Sequence, residues 1–263
     1  MIFNPKRSLG QNFLVDDKIL NKIIEISNIN FESVVIEVGP GKGALTEKIF
    51  KKKPKKLTII EKDERLYELL NKKFGAEIDI INNDMMKISY EKYSHENLII
   101  FGNLPYNIST QILTKWIKIH SLEKFCKKLI LMFQKEVADR ILSKYNSSNY
   151  GRLSIIANWK LDIKKIIDIK PDSFSPKPKI DSSLLFFSPK KNFLKIKNPK
   201  NLEKITRIFF NQRRKMIKKP FSQVFSNDVK IAKKLKIDLN LRPQNLTNNT
   251  YYELANEYEK LRS

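Results

Sequence analysis

Cysteine, histidine and acidic residues are scarce in this chain of 263 residues, and each shortage removes a class of chemistry. The single Cys126 excludes an intrachain disulfide framework and a thiolate metal cluster. His95 and His120 are too few for a His-rich metal site, so no metal is expected. No apolar run approaches the ~20 residues of a membrane-spanning helix. Met1 to Leu14 carries early charges and lacks the apolar core of a secretory leader; none is expected, and the cytoplasm is the expected compartment. Asp and Glu number 28 against 51 Lys and Arg, a formal charge of +23. That excess points to a polyanionic partner such as RNA. Lys, Asn and Ile are all used heavily, as AT-rich coding produces, so part of the Lys excess belongs to solvated faces. Charge alone does not settle the partner.

What is present is an apolar content of 41%, enough for one large domain or a medium domain with a small one. The most informative stretch is Leu98-Ile99-Ile100-Phe101-Gly102-Asn103-Leu104-Pro105-Tyr106. Its short, uninterrupted apolar run reads as a strand buried on both faces, as in a parallel sheet. An amide, a rigid turn and an aromatic ring follow at the carboxyl end, where open α/β sheets bind ligands. The Asn103 oxygen and the Leu104 carbonyl before the fixed Pro105 are two acceptors held close together. They match the two donors of a planar NH₂ group such as the exocyclic amine of adenine. Tyr106 offers a face on which a flipped-out base can stack. Taken alone, the tetrapeptide reads equally as a strand end with an Asn turn and a Pro that stops pairing. Its neighbours decide.

The basic opening from Lys6 to Leu14, with Gly10 near its centre, is a frayed terminus unless Phe13 and Leu14 pin it. Asp16 or Asp17 caps a helix over 18–27 with Ile19, Leu20, Ile23, Ile24 and Ile26 as its buried stripe. A strand at 34–38 runs into Gly39-Pro40-Gly41-Lys42-Gly43-Ala44, a turn whose glycines let backbone approach a ligand at a helix start. The same residues fit the common G-x-G-x-x-A dinucleotide pattern. The next strand, 57–61, ends in Glu61, placed where an acid can hold two ribose hydroxyls. A helix over 63–74 closes at Gly75 as its C-cap. After a third strand at 78–81, Asp84 can accept from an adenine amine while Met85 packs on the ring. Singly these acids are ordinary strand ends; as a series on one sheet edge they read as a site.

Further strands are expected at 129–133, 163–169 and 180–187, and helices at 110–120, 134–142 and 150–159. Between the last two strands, the stiff loop Phe174-Ser175-Pro176-Lys177-Pro178 can hold Phe174 as a second stacking face opposite Tyr106. Beyond Pro189 the strand pattern stops. Helices at 202–211, 213–225, 229–235 and 250–261 make a small domain; its densest basic cluster is 211–215 with Lys218 and Lys219, and Arg213-Arg214 is the candidate phosphate contact.

Seven segments, in order, carry a family resemblance. They are Leu9-Gly10-Gln11-Asn12-Phe13-Leu14, Glu37 to Gly43, Asn103 to Tyr106, Gln134-Lys135-Glu136-Val137, Tyr150 to Ser154, Phe174 to Ser182 and Phe210 to Lys215. Through them the chain resembles, nearly end to end, the bacterial rRNA adenine N6,N6-dimethyltransferases that modify small-subunit (16S) rRNA. The resemblance implies an α/β, Rossmann-like class I methyltransferase with a mostly parallel seven-stranded sheet, its last strand antiparallel. A methyltransferase domain over 1–189 and an all-helical C-terminal domain over 190–263, expected to contact rRNA, go with it. It implies S-adenosylmethionine as donor, two adjacent adenosines near the 3′ end of the rRNA as targets, a part in ribosome biogenesis, and a monomer. Carried over by position, Gln11, Asn12 and Leu14 resemble the lid of the donor site. Gly39 and Gly41 lie against the methionine part, Glu61 holds the ribose, and Asp84 with Met85 holds the adenine. Asn103 stands between donor and target, with Leu104, Tyr106 and Phe174 on the target side.

Three other readings remain open on sequence. One is the related large-subunit rRNA adenine methyltransferase class linked to macrolide resistance, against which the Phe210 to Lys215 segment and the long basic C-terminal region speak. Another is a dinucleotide-dependent oxidoreductase built on Gly39 to Ala44, which leaves Asn103 to Tyr106 and Phe174 without a task. The third, a ribosome-assembly factor, is compatible with the enzyme.

Overall fold

The computed structural model describes residues 10–93, 95–226 and 228–262; Lys6 to Leu9 of the basic opening lie outside the described residues. The chain divides into two compact units, Met1–Ala138 with Asp162–Pro189, and Asp139–Leu161 with Lys190–Ser263. One of the divisions falls between Pro189 and Lys190. The stretch 139–161, which periodicity alone leaves in the first domain, belongs to the second.

In chain order the strands are β1 (Phe13–Leu14), β2 (Val34–Val38), β3 (Lys56–Glu61), β4 (Asp79–Asn82), β5 (Leu98–Asn103), β6 (Lys128–Gln134), β7 (Leu161–Ile169), β8 (Phe174–Ser175) and β9 (Ser182–Pro189). Seven form one sheet in the order β4-β3-β2-β5-β6-β9-β7, while β1 and β8 pair separately. From β4 to β6 all neighbours are parallel, and β9 runs antiparallel to β6. This is the mostly parallel sheet the sequence leads one to expect. Val35, Ile36, Val38, Ile59, Ile60, Ile100 and Phe101 are fully buried, which is why β2, β3 and β5 read as continuous apolar runs rather than alternating ones.

The order creates a switch point. From β2 the chain steps outward to β3 and β4, then returns to lay β5 on the other side of β2. Ligands bind in such a crevice, at the carboxyl ends of the strands. Register aligns those ends: Val38 faces both Ile60 and Gly102, and Glu61 faces Asn82. Gly39, Glu61 and Asn103 therefore meet on one edge.

Helices on the first unit are α1 (Asp17–Ser27), α2 (Ala44–Phe50), α3 (Glu64–Phe74), α4 (Ser109–Ile117) and α5 (Leu122–Phe125), with α6 (Lys135–Leu142) leading out of it. Asp16, not Asp17, caps α1: its Oδ1 accepts from the amides of Lys18 and Ile19 at 3.0 and 3.3 Å. Ile19, Leu20, Ile23 and Ile24 form the buried stripe, with Ile26 only partly covered. Gly75 closes α3 as its C-cap, in a right-handed conformation with φ −60°. It is glycine for room: a Cβ there would lie 2.5 Å from the Asn71 carbonyl oxygen.

The second unit is helical among its described residues, apart from turns and the first residue of β7: α7 (Arg152–Lys160), α8 (Pro199–Phe210), α9 (Lys218–Phe225), α10 (Val229–Lys234) and α11 (Asn248–Lys260). Asn198 caps α8 and Thr247 caps α11. Phe209, Phe221 and Tyr251 are buried between them, with the Phe209 and Tyr251 rings edge-on at 5.8 Å. The Tyr252 hydroxyl donates to the Ile155 carbonyl at 2.9 Å, which ties α11 to α7 and explains why 139–161 sides with this unit. Residues 211–217 form turns, not the start of a helix over 213–225, because Arg213 is drawn to other backbone. Its guanidinium donates to the carbonyls of Ser147 and Ser148 and to Gln244 Oε1. Among the described residues no helix is long and apolar enough to cross a membrane, and no acid, His and Cys group is placed to hold a metal.

Candidate active site

A cleft of about 190 Å³ opens at the switch point. Gln11, Asn12, Gly39, Gly41, Glu61, Asp84, Met85, Asn103, Leu104 and Tyr106 all line it. Ten positions spread over more than ninety residues are thus brought together by one sheet edge and the segment crossing it.

Asn103 ends β5, and its Nδ2 donates to the Asn12 carbonyl at 2.9 Å. A carbonyl only accepts, so the amide nitrogen faces the N-terminal segment and Oδ1 is the end left for a ligand's N–H. The turn that follows is held by the Ile108 amide donating to the Pro105 carbonyl at 3.1 Å and by the Ser109 hydroxyl donating to the Tyr106 carbonyl at 3.2 Å. The Tyr106 hydroxyl shares a 2.6 Å hydrogen bond with Ser182 Oγ, which fixes the ring at the cleft wall. Burial pushes the Tyr106 phenol up, so it stays neutral.

Gly39 has φ +71°, and a Cβ there would lie 3.1 Å from the Asn103 carbonyl oxygen. Gly41 has φ +58°, and a Cβ would come within 2.5 Å of the Phe13 ring. Only glycine lets the first turn pass this close to both β5 and the N-terminal segment. Across the turn, the Lys42 ammonium lies 5.3 Å from the centre of the Phe13 ring.

Glu61 is 7% exposed, and its Oε1 accepts from the amides of Lys62 and Asp63 at 2.8 and 2.9 Å. Burial raises its carboxyl above the ordinary range, against the pull of those amides and that of Gly41. Asp63, just beyond, caps α3 and accepts from the Arg65 guanidinium and from Gln11 Nε2 at 2.8 Å. The Arg65 charge holds the Asp63 carboxyl well below the usual carboxylate range. Gln11 is thereby latched to the end of β3. Asp84 is less open than its motif implies: Oδ2 pairs with the Lys62 ammonium at 2.8 Å and Oδ1 accepts from the Met86 amide at 2.8 Å.

Two expected residues are placed elsewhere. Leu14 and Phe174 face each other in the β1·β8 pair, 6% and 4% exposed, within the core of the first unit. Phe174 is therefore placed behind the cleft lining rather than in it, and Leu14 supports the N-terminal segment from behind. A non-local strand pair buries both, and nothing in the local sequence announces it. Phe13, expected only as an anchor, lines the cleft, as do Lys62, Met86 and Ile108, which were not singled out; Lys62 and Met86 sit beside residues that were, which is the signal available for them.

The strand order, with its antiparallel strand beside β6, is that of the Rossmann-like methyltransferases. A dimethyladenosine transferase from Plasmodium falciparum has a similar structure, with TM-score 0.78 and 26% identity, covering 94% of this chain and 98% of that one. The 23S rRNA methyltransferase ErmE, at 19% identity and TM-score 0.67 over 94% of this chain and 100% of its own, shares the fold. A family model described as ribosomal RNA adenine dimethylase matches residues 2–260, and the chain belongs to that family. A ribosomal RNA small subunit methyltransferase A from Pelagibacter ubique is 61% identical over 100% of both chains.

Proposed function

We propose that the protein transfers methyl groups from S-adenosylmethionine to N6 of two adjacent adenosines near the 3′ end of 16S rRNA, as a monomer in the cytoplasm. The observation that carries this is Asn103 in the cleft lining with Tyr106, its nitrogen committed to the Asn12 carbonyl and its oxygen left as the acceptor. The small-subunit assignment is supported by the 61% identical Pelagibacter relative and the name it bears.

The donor fits the cleft. Glu61 sets a buried carboxylate where a ribose diol needs acceptors, and Met85, Leu104 and Ile108 give apolar wall for a purine. S-adenosylmethionine supplies an electrophilic methyl group on a sulfonium. The rest falls to the chain. An adenine N6 lone pair is delocalised into the ring and is a poor nucleophile. Accepting its two N–H bonds at Asn103 Oδ1 and the Leu104 carbonyl favours a pyramidal nitrogen whose lone pair turns toward the donor. The same acceptors stabilise the positive charge that develops on N6. Tyr106 stacks the base, and fixing the partners in line supplies much of the remaining rate. As the N6–methyl bond forms, the S–methyl bond breaks to leave a neutral thioether, and the charged amine gives up one proton to water; the monomethyl product is then held by its one remaining N–H for the second transfer.

The direct test is transfer from labelled donor to unmethylated 30S particles, naked 16S rRNA and 50S particles. Label on adenines of the 30S particle supports the proposal; label on the 50S particle alone favours the large-subunit reading. Glu61→Gln keeps one acceptor and turns the other into a donor. Donor affinity by calorimetry is expected to fall by about 1–3 kcal/mol, roughly ten- to hundredfold; an unchanged affinity would make Glu61 an ordinary strand end.

The rRNA footprint on the second unit shifts by one residue from the motif reading. Arg213 is engaged with the 147–148 backbone, whereas Arg214, Lys215 and Arg242 line an open hollow. Replacing Arg214 and Lys215 by Ala is expected to flatten the log–log salt dependence of small-subunit binding by about 0.7–0.9 units per lost phosphate contact. Donor affinity stays the same. Neutralising Lys51 to Lys53 is expected to leave the slope almost unchanged, and equal slopes for the two sets would remove the hollow from the footprint.

A further inference from the structure

Residues 83–89, between the end of β4 and the short 3₁₀ turn Tyr90–Tyr93, form neither helix nor strand, yet they carry Asp84, Met85 and Met86 to the cleft. A segment of this kind has few backbone partners of its own, so its shape depends on what satisfies its carbonyls. Two side chains do so from behind. Lys115 Nζ donates to the Met86 carbonyl at 2.8 Å and to the Ile88 carbonyl at 2.7 Å. The Tyr90 hydroxyl donates to the Met85 carbonyl at 3.0 Å. The two are braced together: the Lys115 ammonium lies 5.5 Å from the centre of the Tyr90 ring, which is fully buried edge-on against Trp116.

Lys115 stands in the last turn of α4, and α4 begins directly after the Asn103–Ile108 turn. One rigid helix thus carries the target-side turn at its start and, at its end, the ammonium that holds the opposite wall. Lys115 is not an exposed Lys drifting on a solvated face, since two of its N–H groups are spent on named carbonyls.

We propose that Lys115 is a positioning residue for methyl transfer, holding the Met85–Met86 wall so that the donor's adenine keeps its place relative to Asn103. This rests on the reading of the cleft as an S-adenosylmethionine site. Lys115→Met keeps the aliphatic stem and removes the N–H donors. Donor KM, and the Kd for S-adenosylhomocysteine by calorimetry, are expected to rise about tenfold, the loss of one or two good hydrogen bonds. KM for the 30S particle is expected to stay within about twofold, because no RNA-facing group has moved. Lys115→Arg, whose guanidinium can serve two carbonyls, is expected to recover most of the loss. Tyr90→Phe is expected to give a smaller, equally donor-specific rise.

Unchanged donor constants in a folded Lys115→Met protein would overturn the proposal. So would a parallel loss of donor affinity, 30S affinity and thermal midpoint that Arg does not repair, since that is what a merely structural strut gives. Should Lys115→Met fail to fold, Lys115→Arg and Tyr90→Phe decide by the same comparison: a donor-specific change in Tyr90→Phe supports the proposal, and none in either refutes it. A wild-type protein that does not bind S-adenosylhomocysteine would overturn the donor reading and this proposal with it. Wild-type binding with unchanged variants overturns the proposal alone.

Discussion

Asn103→Ala is expected to slow single-turnover methyl transfer on the order of 10²-fold or more, the usual cost of removing one preorganised partner of a developing charge. The side chain is only half-buried and contributes little to the core, so thermal unfolding should shift by a few degrees at most. Alanine also frees the Asn12 carbonyl, which loosens the N-terminal segment over the cleft. Asn103→Asp separates the two effects: it keeps oxygens facing the cleft but places one against the Asn12 carbonyl. If the acceptor matters most, Asp retains more rate than Ala at saturating donor; if the tie to Asn12 matters most, both lose donor affinity alike. A normal rate in Asn103→Ala would sink the amine-orienting site.

The second large effect concerns stability. Glu37, in the middle of the sheet on β2, is 3% exposed and accepts from the Thr46 hydroxyl at 2.6 Å. Burial, reinforced by the neighbouring Glu61 charge, pushes its carboxyl up from 4.5 to about 7. Between these values the folded protein keeps a proton that the unfolded chain has released. Stability due to this group therefore falls as pH rises through that window: the penalty is absent below about 4.5 and complete above about 7. The interval amounts to about 3 kcal/mol. Other groups act in the opposite sense; Glu47, lowered to about 2 by Lys73 and Lys51, loses stabilisation only as pH falls toward that value. Comparison with Glu37→Gln isolates the term, because Gln still accepts from Thr46 but does not titrate. Urea unfolding is expected to show the variant gaining on wild type by about 3 kcal/mol between pH 4.5 and 8. A difference that does not vary with pH would mean that Glu37 does not titrate there.

The strands were legible because β2, β3, β5 and β6 are buried on both faces, which leaves an apolar run with no competing helical period. The sheet edge was legible for a related reason: Gly39, Glu61 and Asn103 each break such a run with chemistry the run does not need. What escaped was set by distant partners. Phe174 reads from its stiff, Pro-flanked loop as a ring at the cleft, but its pairing with β1, which places it in the core cluster, has no local signal. Arg213 reads as a phosphate ligand from its basic neighbours, but two carbonyls in the 147–148 turn claim it and end the expected helix. The 139–161 stretch looks continuous with the sheet domain until Tyr252 and its neighbours draw it to α11.

The β1·β8 pair bears on how the protein is made. Phe13 and Leu14 leave the ribosome early, yet they pair with Ser175 and Phe174, and the Val15 amide donates to the Ser173 carbonyl at 2.9 Å. A nascent chain holding β2 through β6 has the floor of the cleft in hand, while the N-terminal wall still lacks the strand that fastens it. The N-terminal wall of the cleft is thus fastened late in translation, only once the 173–175 segment has emerged to pair with it.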